Sequence, residues 1–164
     1  MCHRKSEDLD FFTYEDSYDI REILEFIKIF TEKEIINRTN EQVDMILDGV
    51  KVTFFNAKWN FLRPKDTKRL NIATIEQIAA MKVNVLFLRA KYRDYYDIYC
   101  LAKQKMGLRE IFKCGEAILE GVTYKLFVAA LLYIDDIEDD NIEHLEPKER
   151  LSKVQIRSFF EKRV

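Results

Sequence analysis

The sequence predicts an α+β fold: a mixed or antiparallel sheet in the N-terminal part and a helical bundle in the C-terminal part. Three observations predict it. Period-two alternation and a hairpin turn fall within residues 1–73, helical spacing with capping residues fills residues 74–164, and strands and helices do not alternate as a βαβ repeat would require. We therefore expect a sheet subdomain over 1–73 and a helical subdomain over 74–164.

Asp8-Leu9-Asp10-Phe11-Phe12 alternates polar and apolar side chains and reads as a half-buried strand, with Leu9 and Phe11 directed into the core. Asp16, Ser17 and Asp19 are capping candidates for a helix that gathers Ile20, Ile23, Leu24, Ile27 and Phe30 on one side. Strands are expected over residues 34–38, 42–47 and 50–55, the last two joined by Asp48-Gly49, a favoured tight-turn pair. Residues 58–67, with Trp59 and Pro64, read as a loop, and 69–73 as a short final strand.

Thr74-Ile75-Glu76-Gln77 matches a capping box and opens a helix ending near Arg89 or Ala90. Asp94 can cap a second helix running to Lys105, and Gly107, Gly121 and Pro147 divide the remainder into helices over 108–120, 123–134 and 148–163.

Composition narrows the function classes. Twelve Phe and eight Tyr beside four Gly and two Pro argue for a packed core rather than a disordered or loop-dominated chain. A net charge of -2 means that a nucleic acid partner would be held by a local patch and not by the field of the whole protein. Cys2, Cys100 and Cys114 are odd in number and lack a CxxC pair, which fits free thiols in a reducing cytoplasm. With no charged-then-apolar leader and no apolar run of membrane length, the expected location is cytoplasmic and away from membranes.

Asp8 and Asp10 are the first chemical candidates. Two apart on a strand, they leave one face about 7 Å apart along the backbone, and two carboxylates so placed can share a hard cation such as Mg²⁺. The alternative is a solvated polar strand face. Lys82 shares a helical stripe with Ile75, Ile78, Ala79 and Leu86; its ammonium could neutralise a triphosphate or an acidic partner, or simply snorkel from the helix edge, as Arg89 could. Asp94 suits capping. Asp97 could orient Lys82 as an ion-pair partner or accept a proton from an incoming hydroxyl.

Other residues carry weaker signals. His3 and His144 lack ligand-spaced neighbours and read as surface histidines. The acidic stretch from Asp135 to Glu146 reads as a solvated helix end and loop. Tyr92, Tyr95, Tyr96 and Tyr99 could stack bases or fill the core with their hydroxyls at its rim.

The string His3-Arg4-Lys5-Ser6-Glu7-Asp8-Leu9-Asp10-Phe11-Phe12 resembles the nucleotidyltransferase motif of AbiEii-type toxins. A second match follows in order: Ile78-Ala79-Ala80-Met81-Lys82, then Lys91-Tyr92-Arg93-Asp94-Tyr95-Tyr96-Asp97-Ile98-Tyr99, similar to the family's lysine helix and its K-x-R-D-x-x-D block. The resemblance covers the first two-thirds of the chain. It implies a DNA polymerase β-like nucleotidyltransferase fold with the helical part completing the cleft, and Mg²⁺, or Mn²⁺ in its place, on Asp8 and Asp10. It also implies triphosphate near Ser6, Lys82 and Arg93, and Asp97 completing the site. The implied reaction moves a nucleotide from an NTP to an acceptor, RNA and especially tRNA, in a bacterial toxin–antitoxin or phage-defence setting with a cognate antitoxin.

Two departures from the family pattern are visible. The glycine-rich turn and helix that precede the motif, and whose amides approach the triphosphate, do not precede it here, which points to an N-terminally truncated fold. A third carboxylate is often found on a later central strand, where this chain has Thr53, with Asp44 a weak substitute one strand away. A catalytically silent remnant that binds nucleotide, RNA or antitoxin is the rival expectation.

Overall fold

Leu47 and Val50 face each other across a two-residue turn in which Asp48 and Gly49 both take positive φ, 46° and 81°, the backbone that a tight hairpin between twisted strands requires. The structure, a computed structural model, describes residues 2–13, 18–56, 58–62, 71–116, 118–139 and 141–164. Four strands, β1 (Asp8–Thr13), β2 (Lys33–Arg38), β3 (Gln42–Leu47) and β4 (Val50–Asn56), form one sheet in the order β1-β4-β3-β2. β1 runs parallel to β4 and the other two pairings are antiparallel, so the sheet is mixed, as the sequence predicts.

The chain divides into two compact units, Ser6–Lys65 and Met1–Lys5 with Asp66–Val164. In the first unit, Val43, Met45, Leu47 and Val52 point to one face of the sheet and are buried against Ile23 and Ile27 of α1 (Ile20–Phe26) and the 3₁₀ turn after it. Asp19 caps α1 through Arg21 N at 2.8 Å; Asp16 and Ser17, the other candidates, lie outside the described residues. Phe11 packs on this core. Leu9 does not: it is 53% exposed, at the start of an edge strand, which has a neighbouring strand on one side only.

In the second unit, α2 (Ile75–Leu88), α3 (Tyr92–Gln104), α4 (Leu108–Glu116), α5 (Tyr124–Leu132) and α6 (Lys153–Glu161) surround a core of Ala79, Val83, Tyr95, Ile98, Leu101, Ile111, Phe127, Leu131, Ile156 and Phe160. The Thr74–Gln77 capping box forms as expected. α3 begins at Tyr92, two residues before the expected cap, which makes Asp94 a third-position residue inside the first turn. α6 starts at Lys153 rather than near 148, because Ser152 supplies the capping box while Lys148 N and Glu149 N are bonded to His3 O and Tyr96 Oη. α4 ends at Glu116, short of 120, where Ile118 N and Leu119 N both turn back onto Gly115 O.

The strand expected over 69–73 is not found among its described residues 71–73, where Ala73 leads directly into the Thr74 cap; Arg69 and Leu70 lie outside the described residues. So do Pro64 and the end of the expected loop, whose described part contains a 3₁₀ turn at Asn60–Leu62. Among the described residues no helix is long and apolar enough to cross a membrane.

Candidate functional site

The sequence-predicted site residues fall into two groups, one in each unit. In the sheet unit, Asp8 and Asp10 leave the face of β1 opposite to the buried Val43, Met45 and Val52. Register continues that face across the sheet: Asp10 is the partner of Thr53 on β4, Thr53 of Asp44 on β3, and Asp44 of Asn37 on β2. Thr53 Oγ1 donates to Asp44 Oδ1 at 2.8 Å, Gln42 Nε2 donates to both Asp44 oxygens at 2.8 Å, and Asn37 Nδ2 donates at 3.2 Å. Burial works to raise the Asp44 pKa, but the hydrogen bonds from Gln42, Thr53 and Asn37 outweigh it and hold the carboxyl below its ordinary value. Ser6 is exposed beside this strand, its Oγ 3.3 Å from Asp8 O. Among the described residues, no three His, Cys, Asp or Glu side chains converge into a cation cage.

The helical unit gathers six charged or titratable side chains, His3, Arg4, Lys82, Arg89, Asp94 and Asp97. Asp97, 1% exposed, receives Arg4 through two bonds of 2.8 Å, His3 Nε2 at 2.6 Å and Lys82 Nζ at 2.6 Å. Asp94, fully buried one turn earlier, takes Lys82 Nζ at 3.3 Å, the Arg89 guanidinium through two bonds of 3.1 Å and Lys91 N at 3.3 Å. Burial alone would favour the protonated acid at Asp97, yet the bonds from His3 and Arg4 and the Lys82 charge hold it well below the usual carboxylate range. The bond to Asp97 correspondingly raises Arg4. Among the described residues, three permanent cations thus face two carboxylates in this cluster.

This geometry bears on the expected roles. Lys82 and Asp97 are in contact, as the ion-pair expectation requires. The Asp97 carboxylate is already filled by hydrogen bonds and ion pairs from His3, Arg4 and Lys82, an arrangement that suits an orienting partner of Lys82 better than a proton acceptor. His3 is not a surface histidine: it is largely buried, stacks on Tyr96 with ring centroids 5.8 Å apart and bonds Asp97. Arg93 stands outside the cluster, with Nε buried and lacking a hydrogen-bond partner among the described residues. Tyr92, Tyr95, Tyr96 and Tyr99 are core residues, so they offer no ring faces for bases. His144 is exposed.

The acidic stretch is more than solvated surface. Asp139 accepts from Tyr92 N at 3.0 and 3.1 Å and so caps α3, while Asp135 pairs with Arg157. Sequence spacing could not find Arg4 and His3 as partners of Asp97, since they lie 93 and 94 residues away.

Comparison with known proteins adds to this picture. The family model described as Nucleotidyl transferase AbiEii toxin, Type IV TA system, matches residues 50–161, which contain Lys82, Arg93, Asp94 and Asp97 but not Asp8 or Asp10. The uncharacterized protein aq_aa25 of Aquifex aeolicus (strain VF5) is 28% identical over 167 residues, covering 99% of this chain and 79% of the relative. Among solved structures, a candidate nucleotidyltransferase from Helicobacter pylori superposes with a TM-score of 0.55 at 20% identity, covering 97% of this chain and 78% of its own. JHP933 from Helicobacter pylori does so with 0.53 at 18% identity, covering 97% and 75%.

Proposed function

The chain belongs to the AbiEii nucleotidyl transferase toxin family, and from that premise we propose that it transfers a nucleotide from an NTP to an RNA acceptor, tRNA being the foremost class. The observation that carries this reading is the pair Asp8 and Asp10 on one face of β1, turned away from the apolar core of its unit. Their donor chemistry fits Mg²⁺, or Mn²⁺ in its place, which is held by one or two carboxylates and completes its shell with waters and substrate phosphates. Such an ion, when bound, would neutralise the phosphates and activate the acceptor oxygen.

The chain's own residues then divide the work. Asp8 and Asp10 hold the ion. Lys82 and Arg93 neutralise triphosphate charge together with Ser6, and Asp97 fixes the direction of Lys82. In this reading the sheet subdomain, expected over 1–73, supplies the metal-binding carboxylates, and the helical subdomain, expected over 74–164, supplies the phosphate-neutralising charge. The biological setting is a bacterial cytoplasmic toxin–antitoxin or phage-defence system, with the antitoxin as protein partner.

One observation favours a second reading. Lys82 is already engaged by both Asp94 and Asp97, which suits a silent binder of nucleotide, RNA or antitoxin as well as an enzyme. Metal-dependent incorporation of labelled nucleotide into RNA decides between them. The enzyme reading requires incorporation that is lost in Asp10→Asn and in Lys82→Ala, with the double variant no worse than either alone, since residues of one reaction act as a unit. Nucleotide binding without incorporation in the wild type would overturn it and leave the silent binder.

A further inference from the structure

We propose that Lys82 is the exchangeable cation of the Asp94–Asp97 cluster, released to an incoming phosphate chain, and that Arg4 and Arg89 are the positioning residues that make its release possible. This rests on the reading of Lys82 as a phosphate-neutralising residue given above.

Each of the two buried carboxylates has an arginine of its own. Arg4 Nε and Nη2 donate to the two oxygens of Asp97 at 2.8 Å each, and Arg89 Nε and Nη2 donate to the two oxygens of Asp94 at 3.1 Å each. A planar guanidinium that spans both oxygens is a complete counterion for a carboxylate. Lys82 is a second cation for both, 2.6 Å from Asp97 Oδ2 and 3.3 Å from Asp94 Oδ1. These are the same two oxygens that hold the arginine Nη2 groups. Neither is stripped of its counterion when the ammonium leaves.

The costly event in a buried ion pair is the loss of the last partner, which leaves an uncompensated charge. The two forks prevent it here. Lys82 is also the member built to move: its ammonium is a compact charge on a flexible stem, whereas a guanidinium in a two-bond fork is held in one plane. Arg4 is fixed further by Nη1, which donates to Lys5 O at 2.8 Å. Asp94 has an added compensation in the Lys91 amide and the first turn of α3, where a negative charge is favoured. His3 reaches only one oxygen of Asp97 and so does not replace the Arg4 fork. The Lys82 side chain is 20% exposed and therefore open to a ligand in solvent.

Calorimetric titration of the full chain with metal-free tripolyphosphate tests this without recourse to activity. Lys82→Met should abolish binding. Arg4→Met should weaken it about tenfold, because Lys82 then becomes the main counterion of Asp97 and is held back from the ligand. Adding Asp97→Asn to Arg4→Met should restore binding to within about twofold of the wild type, since the charge that held Lys82 is gone. Arg89→Met, alone and with Asp94→Asn, should repeat the pattern. Arg4→Met with Glu161→Gln, the same charge change at a surface pair, should not restore binding. If it does, the effect is that of the overall field and the exchange is overturned.

If Lys82→Met abolishes binding while Arg4→Met and Arg89→Met bind as the wild type does, the exchange is overturned and the Lys82 reading stands. Double variants that bind no better than the single arginine variants also overturn it, because a cluster that only joins α2 to α3 gains nothing from a second loss. A wild-type chain that takes up no tripolyphosphate, or Lys82→Met that binds as the wild type does, removes the reading of Lys82 itself. Should the Arg4 and Asp97 variants fail to fold, the Arg89 pair decides, since the Arg89 side chain is 40% exposed.

Discussion

Lys82 Nζ lies 2.6 Å from Asp97 Oδ2 and 3.3 Å from Asp94 Oδ1, so one ammonium on α2 serves two buried carboxylates on α3. The two ends of this bridge are unequal. Asp97→Asn would leave Arg4, Lys82 and His3 around a neutral amide in a buried setting, and removing one partner of such a cluster costs about 3–5 kcal/mol. Lys82→Met leaves Asp97 with Arg4 and His3 and Asp94 with Arg89, and should cost about 1–3 kcal/mol. Urea unfolding of the two variants at neutral pH checks the order; a larger loss for Lys82→Met would contradict the arrangement.

The same cluster sets an acid limit on stability. Because His3, Arg4 and Lys82 overcome burial and hold the native Asp97 pKa well below the usual range, the native state binds fewer protons at this site than the unfolded chain does near its value of about 3.9. The contribution is therefore complete above about pH 5, declines as pH falls through the unfolded value, and disappears only below the depressed native value. Unfolding free energy measured between about pH 3 and pH 6 should fall less steeply in Asp97→Asn than in the wild type. Parallel profiles would show that Asp97 is not depressed.

What the sequence made legible, and what it hid, follows from the range of the interactions. The β3–β4 hairpin, α2 and its Thr74–Gln77 box are encoded by neighbours within a few positions, so alternation and capping chemistry place them within a residue or so. Asp8 and Asp10 are legible for the same reason, since a strand's period alone puts them on one face. The partnership of His3 and Arg4 with Asp97 is not, because it depends on a backbone link of the N-terminal residues to 145–148, through Lys5 N to Leu145 O and Lys148 N to His3 O. Thr53 and Asp44 could each be singled out from the family pattern, but their hydrogen bond exists only through the β3–β4 register.

Asp139 gives another long-range case with a measurable consequence. Its carboxylate takes the first free amide of α3, Tyr92 N, from 47 residues away, and so fixes the end of the helix that carries Asp94 and Asp97. Asp139→Ala removes both the acceptor and the favourable charge at a helix N-terminus, a loss of about 1 kcal/mol. Amide hydrogen exchange should accelerate in the first turn of α3 and leave α5 unaffected. Uniform acceleration across the unit would assign Asp139 a different role.

Gly115 and Val83 set how closely α4 can approach α2. A Cβ at position 115 would sit 2.5 Å from Val83 Cγ1 and 2.7 Å from Val83 Cβ, distances that no rotation of a β-branched side chain relieves. In an open helix, Gly→Ala stabilises by about 1 kcal/mol, so propensity and packing predict opposite signs here. Packing should win, because Val83 is fully buried and moving it displaces the core, an overpacking cost of about 1–3 kcal/mol. Gly115→Ala is thus expected to destabilise the protein, although the same change would stabilise an isolated α4 peptide. Val83→Ala alone should also destabilise, by leaving a cavity, whereas the Gly115→Ala/Val83→Ala pair should recover part of the loss, since removing both Val83 Cγ atoms relieves two of the three close contacts and leaves only the approach to Cβ to be absorbed by a small helix shift. Strictly additive losses in thermal unfolding would mean that the two helices separate rather than interlock at this point.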